Sequence, residues 1–333
     1  SGTTGPAKLW PLTYDLLEKR FVSGNSVIGE ELASAPPILL CYPLCNVSGL
    51  YSAVPAIVAG LRIVLQDRFT LDGWLDYVKR YPMPDIYLPP VGIQMVLDAD
   101  VPREALGFAR SCRSGMTKLP VEVQRAFEDK YGIPVVMSYG ATEFGGVVIQ
   151  MEYEDALEWG QRKLGSTGRA YGEAKVRVVD AASGKVLGPG QEGLLEVLVP
   201  SIGPEWARTS DLAMIDEDEF VFILGRVDSA IMRGGFKILP EAIETALIQH
   251  PDIEAAAVIG VSDRRLGQVP AALVEMKPGK SPLSDAELEA HVRRHVPSTH
   301  VPAYWRYTET MPRTASLKVS LGDVRALFAD LSG

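Results

Sequence analysis

The chain reads as an α/β protein in three parts: a layered α/β subdomain, a small β-barrel, and an α+β C-terminal domain. Three textures along the chain predict this. Apolar strand-like runs alternate with amphipathic helical runs through about residue 150, the pattern of a layered α/β domain. From Gly165 the runs shorten and alternate apolar with polar. Ser183-Gly184-Lys185 and Gly188-Pro189-Gly190 mark turns between them, as in a barrel or sandwich. After Gly225-Arg226, helices and strands follow one another at short spacing. The expected boundaries are 1–160, 161–227 and 228–333.

In the first part, Thr13 caps a short helix over 14–21, with Leu16, Leu17 and Phe21 on one face. Residues 36–44 form an apolar run bracketed by prolines, a buried strand. Residues 50–60 and 71–79 read as helices and 62–65 as a strand. Further strands are expected at 86–88, 107–112 and 135–138, and a helix at 120–131 with Pro120 at its start. In the second part 175–180, 193–199 and 220–224 are strands. In the third, 240–250 is a helix and 253–261 and 271–276 are strands. Ser284-Asp285-Ala286-Glu287 is a capping box opening a helix to about His295. Residues 306–308 suggest a strand and 322–331 a last helix. No internal repeat or low-complexity segment is visible.

Composition narrows the function. With 333 residues and 47% hydrophobic content the chain can bury a sizeable core in more than one domain. A net charge of −9 argues against nucleic acid or an anionic membrane as partner. No apolar run reaches the length of a membrane span. Cys41, Cys45 and Cys112 are an odd, sparse set, which suits a reducing cytoplasm and buried packing better than disulfides or zinc.

Five stretches could carry chemistry. Ser1-Gly2-Thr3-Thr4-Gly5-Pro6-Ala7-Lys8 has the glycines, hydroxyls and lysine of a phosphate cradle, without a Walker ending. Ser138-Tyr139-Gly140-Ala141-Thr142-Glu143 follows an apolar strand, where α/β sheets bind ligands. Its ring could stack on a base and its carboxylate could hold magnesium; alone, it also reads as a polar loop. Thr209-Ser210-Asp211 precedes the last barrel strand, as a ribose ligand or a turn. Gly225-Arg226-Val227-Asp228 suits a hinge or a linker, and Gly234-Gly235 follows it. Lys318 stands on the proline-led loop Pro312-Arg313-Thr314-Ala315-Ser316-Leu317, either solvated or delivered to a developing negative charge.

In this order the stretches resemble the AMP-forming adenylate ligases: acyl- and aryl-CoA synthetases, nonribosomal adenylation domains and luciferases. The likeness runs from Ser1 to about Leu321. It implies ATP, Mg2+ and coenzyme A as cofactors and a mobile C-terminal domain. Ser1, Gly2, Thr3, Thr4, Gly5 and Lys8 would hold the outer phosphates. Ser114, Gly115, Met116 and Thr117 would lie beside the adenine, Tyr139 would stack on it, and Gly140 would also bind the nucleotide. Thr142 and Glu143 would meet phosphate and magnesium. Asp211 would bind ribose, and Arg226 ribose and phosphate. Asp228 would be the hinge, Gly235 would line the pantetheine tunnel, and Lys318 would stabilise the adenylation transition state. The implied reaction is activation of a small carboxylic acid and its transfer to CoA. Rival readings are a carrier-protein thiol or an amine as acceptor, and a degenerate scaffold that only binds nucleotide.

The chain departs from the family pattern at several points. Its proline in the first loop is shifted by one. Cys45 and Asn46 stand where an aromatic and a histidine are usual, and Ser210 and Leu317 where glycine is usual. The resemblance also implies a large segment before the phosphate loop, so a shortened member is expected. The expectation that follows is a homodimer or a second chain covering an apolar face.

Overall fold

A computed structural model describes residues 11–22, 35–42, 44, 46–314 and 317–331. They divide into two compact units. One runs to Thr209 and adds Ala213–Ile223; the other joins Ser210–Leu212 to Leu224 and the residues after it.

In the first unit, α1 (Tyr14–Leu17) opens on Thr13, whose Oγ1 accepts from the Leu16 N–H, and a wider π turn over Glu18–Val22 continues it. Strands β1 (Ile38–Leu40) and β2 (Ile63–Leu65) pair in parallel around α2 (Val47–Val58). The expected strand over 36–44 is thus shorter, because Tyr42 and Leu44 leave the ladder. Helix α3 (Leu71–Arg80) follows, capped by Thr70. Its Trp74 is buried and donates through Nε1 to the Tyr87 carbonyl at 3.0 Å.

The central sheet runs β3 (Asp85–Tyr87), β4 (Ser111–Gly115), β5 (Val135–Ala141), β6 (Gly146–Gln150), β7 (Arg169–Ala170). The first three strands are parallel and β6 and β7 antiparallel. Helices α4 (Pro90–Asp98) and α5 (Val121–Tyr131) make the two crossovers, and α6 (Tyr153–Trp159) follows β6. Parallel strands put their carboxyl ends on one edge, which is where such sheets bind ligands.

The second texture forms a four-stranded sheet, in order β8 (Lys175–Val179), β9 (Glu192–Leu198), β10 (Ala207–Ile215), β11 (Val221–Arg226). Its apolar face packs Val178, Leu195, Val197, Ala213 and Val221 with Phe144, Val148 and Ile149. Closure into a barrel is not part of the pairing among the described residues; Gly168 bridges to Val221 at one edge.

In the second unit, β12 (Ile231–Arg233) and β13 (Phe236–Ile238) form a hairpin, followed by α7 (Pro240–Ile248) with Pro240 in its first turn. Strands β14 (Ile253–Asp263) and β15 (Gly267–Met276) pair over their length, and β16 (Tyr304–Thr308) adds in parallel to β15. Alternate residues feed two cores. Ala256, Val258, Ala272 and Val274 meet α7 and α8 (Asp285–Val292). Ala257, Ile259, Ala271 and Leu273 meet Met311 and α9 (Leu321–Leu327). Both faces are covered, so the strands read as continuous apolar runs. The capping box on α8 is formed as expected, with Ser284 and Glu287 exchanging side-chain and backbone hydrogen bonds.

Candidate active site

In the first unit, the parallel register sets Ser114 opposite Met137 and Gly115 opposite Ser138. Two stretches more than twenty residues apart thus meet at the carboxyl edge of β4 and β5. Glycine is required there by close approach. A Cβ on Gly115 would lie 2.6 Å from Ser138 Oγ, and one on Gly140 would lie 2.2 Å from the Gly146 carbonyl oxygen. Met116 follows with φ 73, a left-handed backbone that a side chain rarely adopts. Ser114 is 1% exposed and its hydroxyl has no partner among the described residues. A buried hydroxyl without a bond is costly, and a ligand's polar atom would relieve it. Tyr139 lies in β5, and Thr142 and Glu143 lie in the 3₁₀ turn Thr142–Phe144 that follows, all three partly exposed.

A second group lies in the other unit. Asp211 is 8% exposed and precedes β11, the last strand of this sheet, but it sits inside β10, a strand not foreseen in the sequence. Alternation along the strand puts it on the same face as Ala213 and Ile215, so a polar stretch hides a true strand. Arg226 ends β11. Its NH1 lies 3.5 Å from Asp211 Oδ1. Its Nε and NH2 donate to the two carboxylate oxygens of Asp228 at 2.9 and 2.7 Å. The Asp228 carboxyl is held below its usual range, chiefly by the Arg226 hydrogen bonds; burial opposes them, and the Arg226 charge and a bond from Ser210 add smaller lowering effects. Glu241 accepts the Arg226 backbone N–H at 3.2 Å.

Lys318 belongs to this group. Its loop is closed by bonds from the Thr314 N–H to the Lys318 carbonyl at 2.8 Å and from Arg313 NH1 to the Leu317 carbonyl at 3.0 Å. Burial pushes the Lys318 ammonium below its ordinary pKa; Arg226 adds to that and Asp211 opposes it. Leu317 has φ 65. Gly235 lies at the β12–β13 turn, beside a cavity of about 320 Å³ lined by Arg233, Gly234, Phe236, Leu266, Ser298 and Thr299.

The remaining expectations fall elsewhere. Ser1, Gly2, Thr3, Thr4, Gly5 and Lys8 lie outside the described residues, as does Cys45. Asn46 caps α2, accepting from the Gly49 N–H at 2.9 Å. Cys41 and Cys112 are buried free thiols, as expected. Two residues gain a role that sequence reasoning misses. Glu241 carried no signal beyond its place near Pro240. Ser210 stood out only as a departure from glycine.

A model of the AMP-binding enzyme family matches residues 1–204, and one of the AMP-binding enzyme C-terminal domain matches 242–318. The chain is 32% identical to the sulfoacetate–CoA ligase of Cupriavidus necator over 96% of its length and 64% of that protein's. It is 30% identical to the indoleacetate–CoA ligase of Aromatoleum aromaticum, covering 99% of itself and 66% of that enzyme. The chain therefore spans about two-thirds of the length of these curated relatives. Among solved structures, o-succinylbenzoate CoA synthetase from Bacillus subtilis, in complex with its acyl-adenylate intermediate, superposes with TM-score 0.78 at 26% identity, over 98% of this chain and 67% of that one. ATP-bound MatB from Rhodopseudomonas palustris shares the fold, with TM-score 0.82 at 24% identity, over 100% of this chain and 68% of that one. By its family match and its relatives, the chain belongs to the AMP-binding enzymes, the superfamily of AMP-forming adenylate ligases.

Proposed function

We propose that this chain carries the adenylating machinery of a carboxylate–CoA ligase. A carboxylate attacks the α-phosphorus of ATP, the bond to the β-phosphate oxygen breaks, and pyrophosphate leaves. A thiol of coenzyme A then attacks the acyl carbon, and AMP leaves with the electron pair of its bond. The carboxylate is already ionised at neutral pH, so no general base is needed for the first step. Positioning and charge neutralisation carry it.

The observation that carries this reading is the company Lys318 keeps. Arg226 and Asp211 act on it electrostatically, although the three residues come from separate stretches. A buried cation beside one carboxylate and one guanidinium suits charge that develops only during reaction. In this reading Asp211 takes the ribose hydroxyls, Arg226 the ribose and phosphate, and Lys318 the transition-state charge. Tyr139 stacks on adenine beside Ser114, Gly115, Met116 and Gly140, and the phosphate contacts fall to Thr142 and to Ser1, Gly2, Thr3, Thr4, Gly5 and Lys8. Magnesium neutralises phosphate charge when bound. Among the described residues no cluster of three His, Cys, Asp or Glu side chains could hold a metal alone. Glu143 would be the protein carboxylate for that ion.

Asp228 serves as the hinge and Gly235 as a lining residue of the pantetheine path. The domain reading 1–160, 161–227 and 228–333 goes with these roles. A homodimer or a second chain belongs to the same proposal. Large apolar side chains exposed on α2 and β2, Ile57, Val58 and Leu65, support it. AMP release measured with ATP, a carboxylic acid and CoA, a carrier protein or an amine tests the acceptor. Release that depends on CoA is expected. Release that depends only on an amine or a carrier protein would overturn the CoA assignment. No helix among the described residues is long and apolar enough to cross a membrane.

A further inference from the structure

Ser210 precedes Asp211 in β10 and stands where the family pattern has glycine. Its hydroxyl makes two bonds at once. Oγ accepts from Arg226 NH2 at 2.5 Å and donates to Asp228 Oδ2 at 3.1 Å. A hydroxyl has one hydrogen and two lone pairs, so the bonds are compatible. Together with the two-pronged Arg226–Asp228 pair they form a closed triangle. A glycine at 210 would leave the strand and the ion pair in place and remove the third corner.

The triangle is placed where motion matters. Asp228 lies in the single 3₁₀ turn Val227–Ser229, which with Ala230 makes the connection between β11 and β12. Turning the backbone at Asp228 swings its carboxylate, and the Ser210 bond resists that swing. The strand that supplies Ser210 supplies Asp211 as the next residue, and Asp211 with Arg226 acts on Lys318. We propose that Ser210 is a positioning residue whose hydroxyl latches the Asp228 hinge to β10. The latch favours the arrangement that sets Lys318 beside Asp211 and Arg226 over the arrangement used for thioester formation. This inference rests on the adenylation reading above. The side chains of Arg226 and Asp228 are 50% and 43% exposed, so water competes for these bonds and the latch is weak enough to release in each cycle.

The test compares the whole chain with Ser210→Ala, Ser210→Gly and Ser210→Thr in two readouts. The first is the rate of tryptic cleavage after Arg226, without ligand. The second is the ratio of the two half-reactions: pyrophosphate release, and thioester formation from supplied acyl-adenylate. Loss of the latch should speed cleavage about two- to fivefold in the Ala and Gly variants. It should lower the adenylation-to-thioester ratio by about the same factor, with KM for ATP unchanged. Ser210→Thr, which keeps the hydroxyl, should restore both. Unchanged cleavage and ratio in the Ala and Gly variants, or a Thr variant that behaves like Ala, would overturn the latch. If the parent chain makes no adenylate from any acid, the adenylation reading fails, and cleavage alone decides whether Ser210 restrains the hinge.

Discussion

In the proposed mechanism Lys318 has to be charged, and its surroundings make that charge harder to keep. Burial and Arg226 hold its pKa below the ordinary lysine value, against Asp211. The charged form is lost as pH rises through the lowered pKa. Adenylation should fall on the alkaline side at a pH below about 10.4, the ordinary lysine value. A pH–rate profile flat to that point would argue against the lysine's role. The residue before it carries strain. Leu317 has φ 65, and a side chain in that region costs about 1–2 kcal/mol. Comparing Leu317→Gly with Leu317→Ala isolates the backbone, since both lose the leucine's contacts. The glycine variant should be the more stable by about 1 kcal/mol in urea unfolding; equal stabilities would show that the loop is not strained.

The elements show where sequence is legible. Helices with caps read well: Thr13, Thr70 and the Ser284 box each satisfy an end whose side chain is visible in the sequence. Short elements read badly. Each strand of the β12–β13 hairpin has 3 residues, too few for a period. Helix α4 hides behind Pro89-Pro90, which looks like a break although Pro90 fits a first helical turn. Strand β10 hides behind Arg208, Thr209, Ser210 and Asp211, because a polar run gives no apolar alternation.

Two predictions belong at this scale. Leu273 is fully buried in β15, so Leu273→Ala should cost about 2–5 kcal/mol. A loss under about 1 kcal/mol in urea unfolding would mean that this core is not close-packed. The contact of α7 with α8 should respond to acid. His291 is buried on α8, with Nε2 bonded to the Ala246 carbonyl at 2.8 Å and Nδ1 at 3.0 Å from Arg294 NH2. An arginine only donates, so this pattern needs a neutral ring protonated at Nε2. Burial lowers the His291 pKa; the Ala246 bond opposes that, and His250, His295 and Arg294 lower it further. Its folded pKa thus lies below the unfolded value near 6.5, and the unfolded chain binds the extra proton first. Stability should be flat above about pH 6.5 and fall as pH drops from there toward the folded pKa. His291→Gln should flatten that fall in urea titrations; an unchanged slope would assign it to other groups.

At the scale of the molecule, each unit gathers residues that the sequence scatters. Parallel register brings Ser114 and Gly115 to Ser138, which strand propensities alone do not reveal. The motif order made the candidate residues legible through resemblance. Their partners, Ser210 for Arg226 and Glu241 for its backbone, needed the fold, since nothing in the local sequence joins β10 to the turn after β11. The central claim is that this chain adenylates a carboxylic acid with Lys318 in the transition state. Pyrophosphate release from ATP over a panel of carboxylic acids, for the parent chain and for Lys318→Ala, tests it most directly. The account predicts release that depends on one class of acid and falls about a hundredfold or more in the variant, while thioester formation from supplied acyl-adenylate persists. ATP binding without acid-dependent release, or a Lys318→Ala variant as active as the parent, would contradict it.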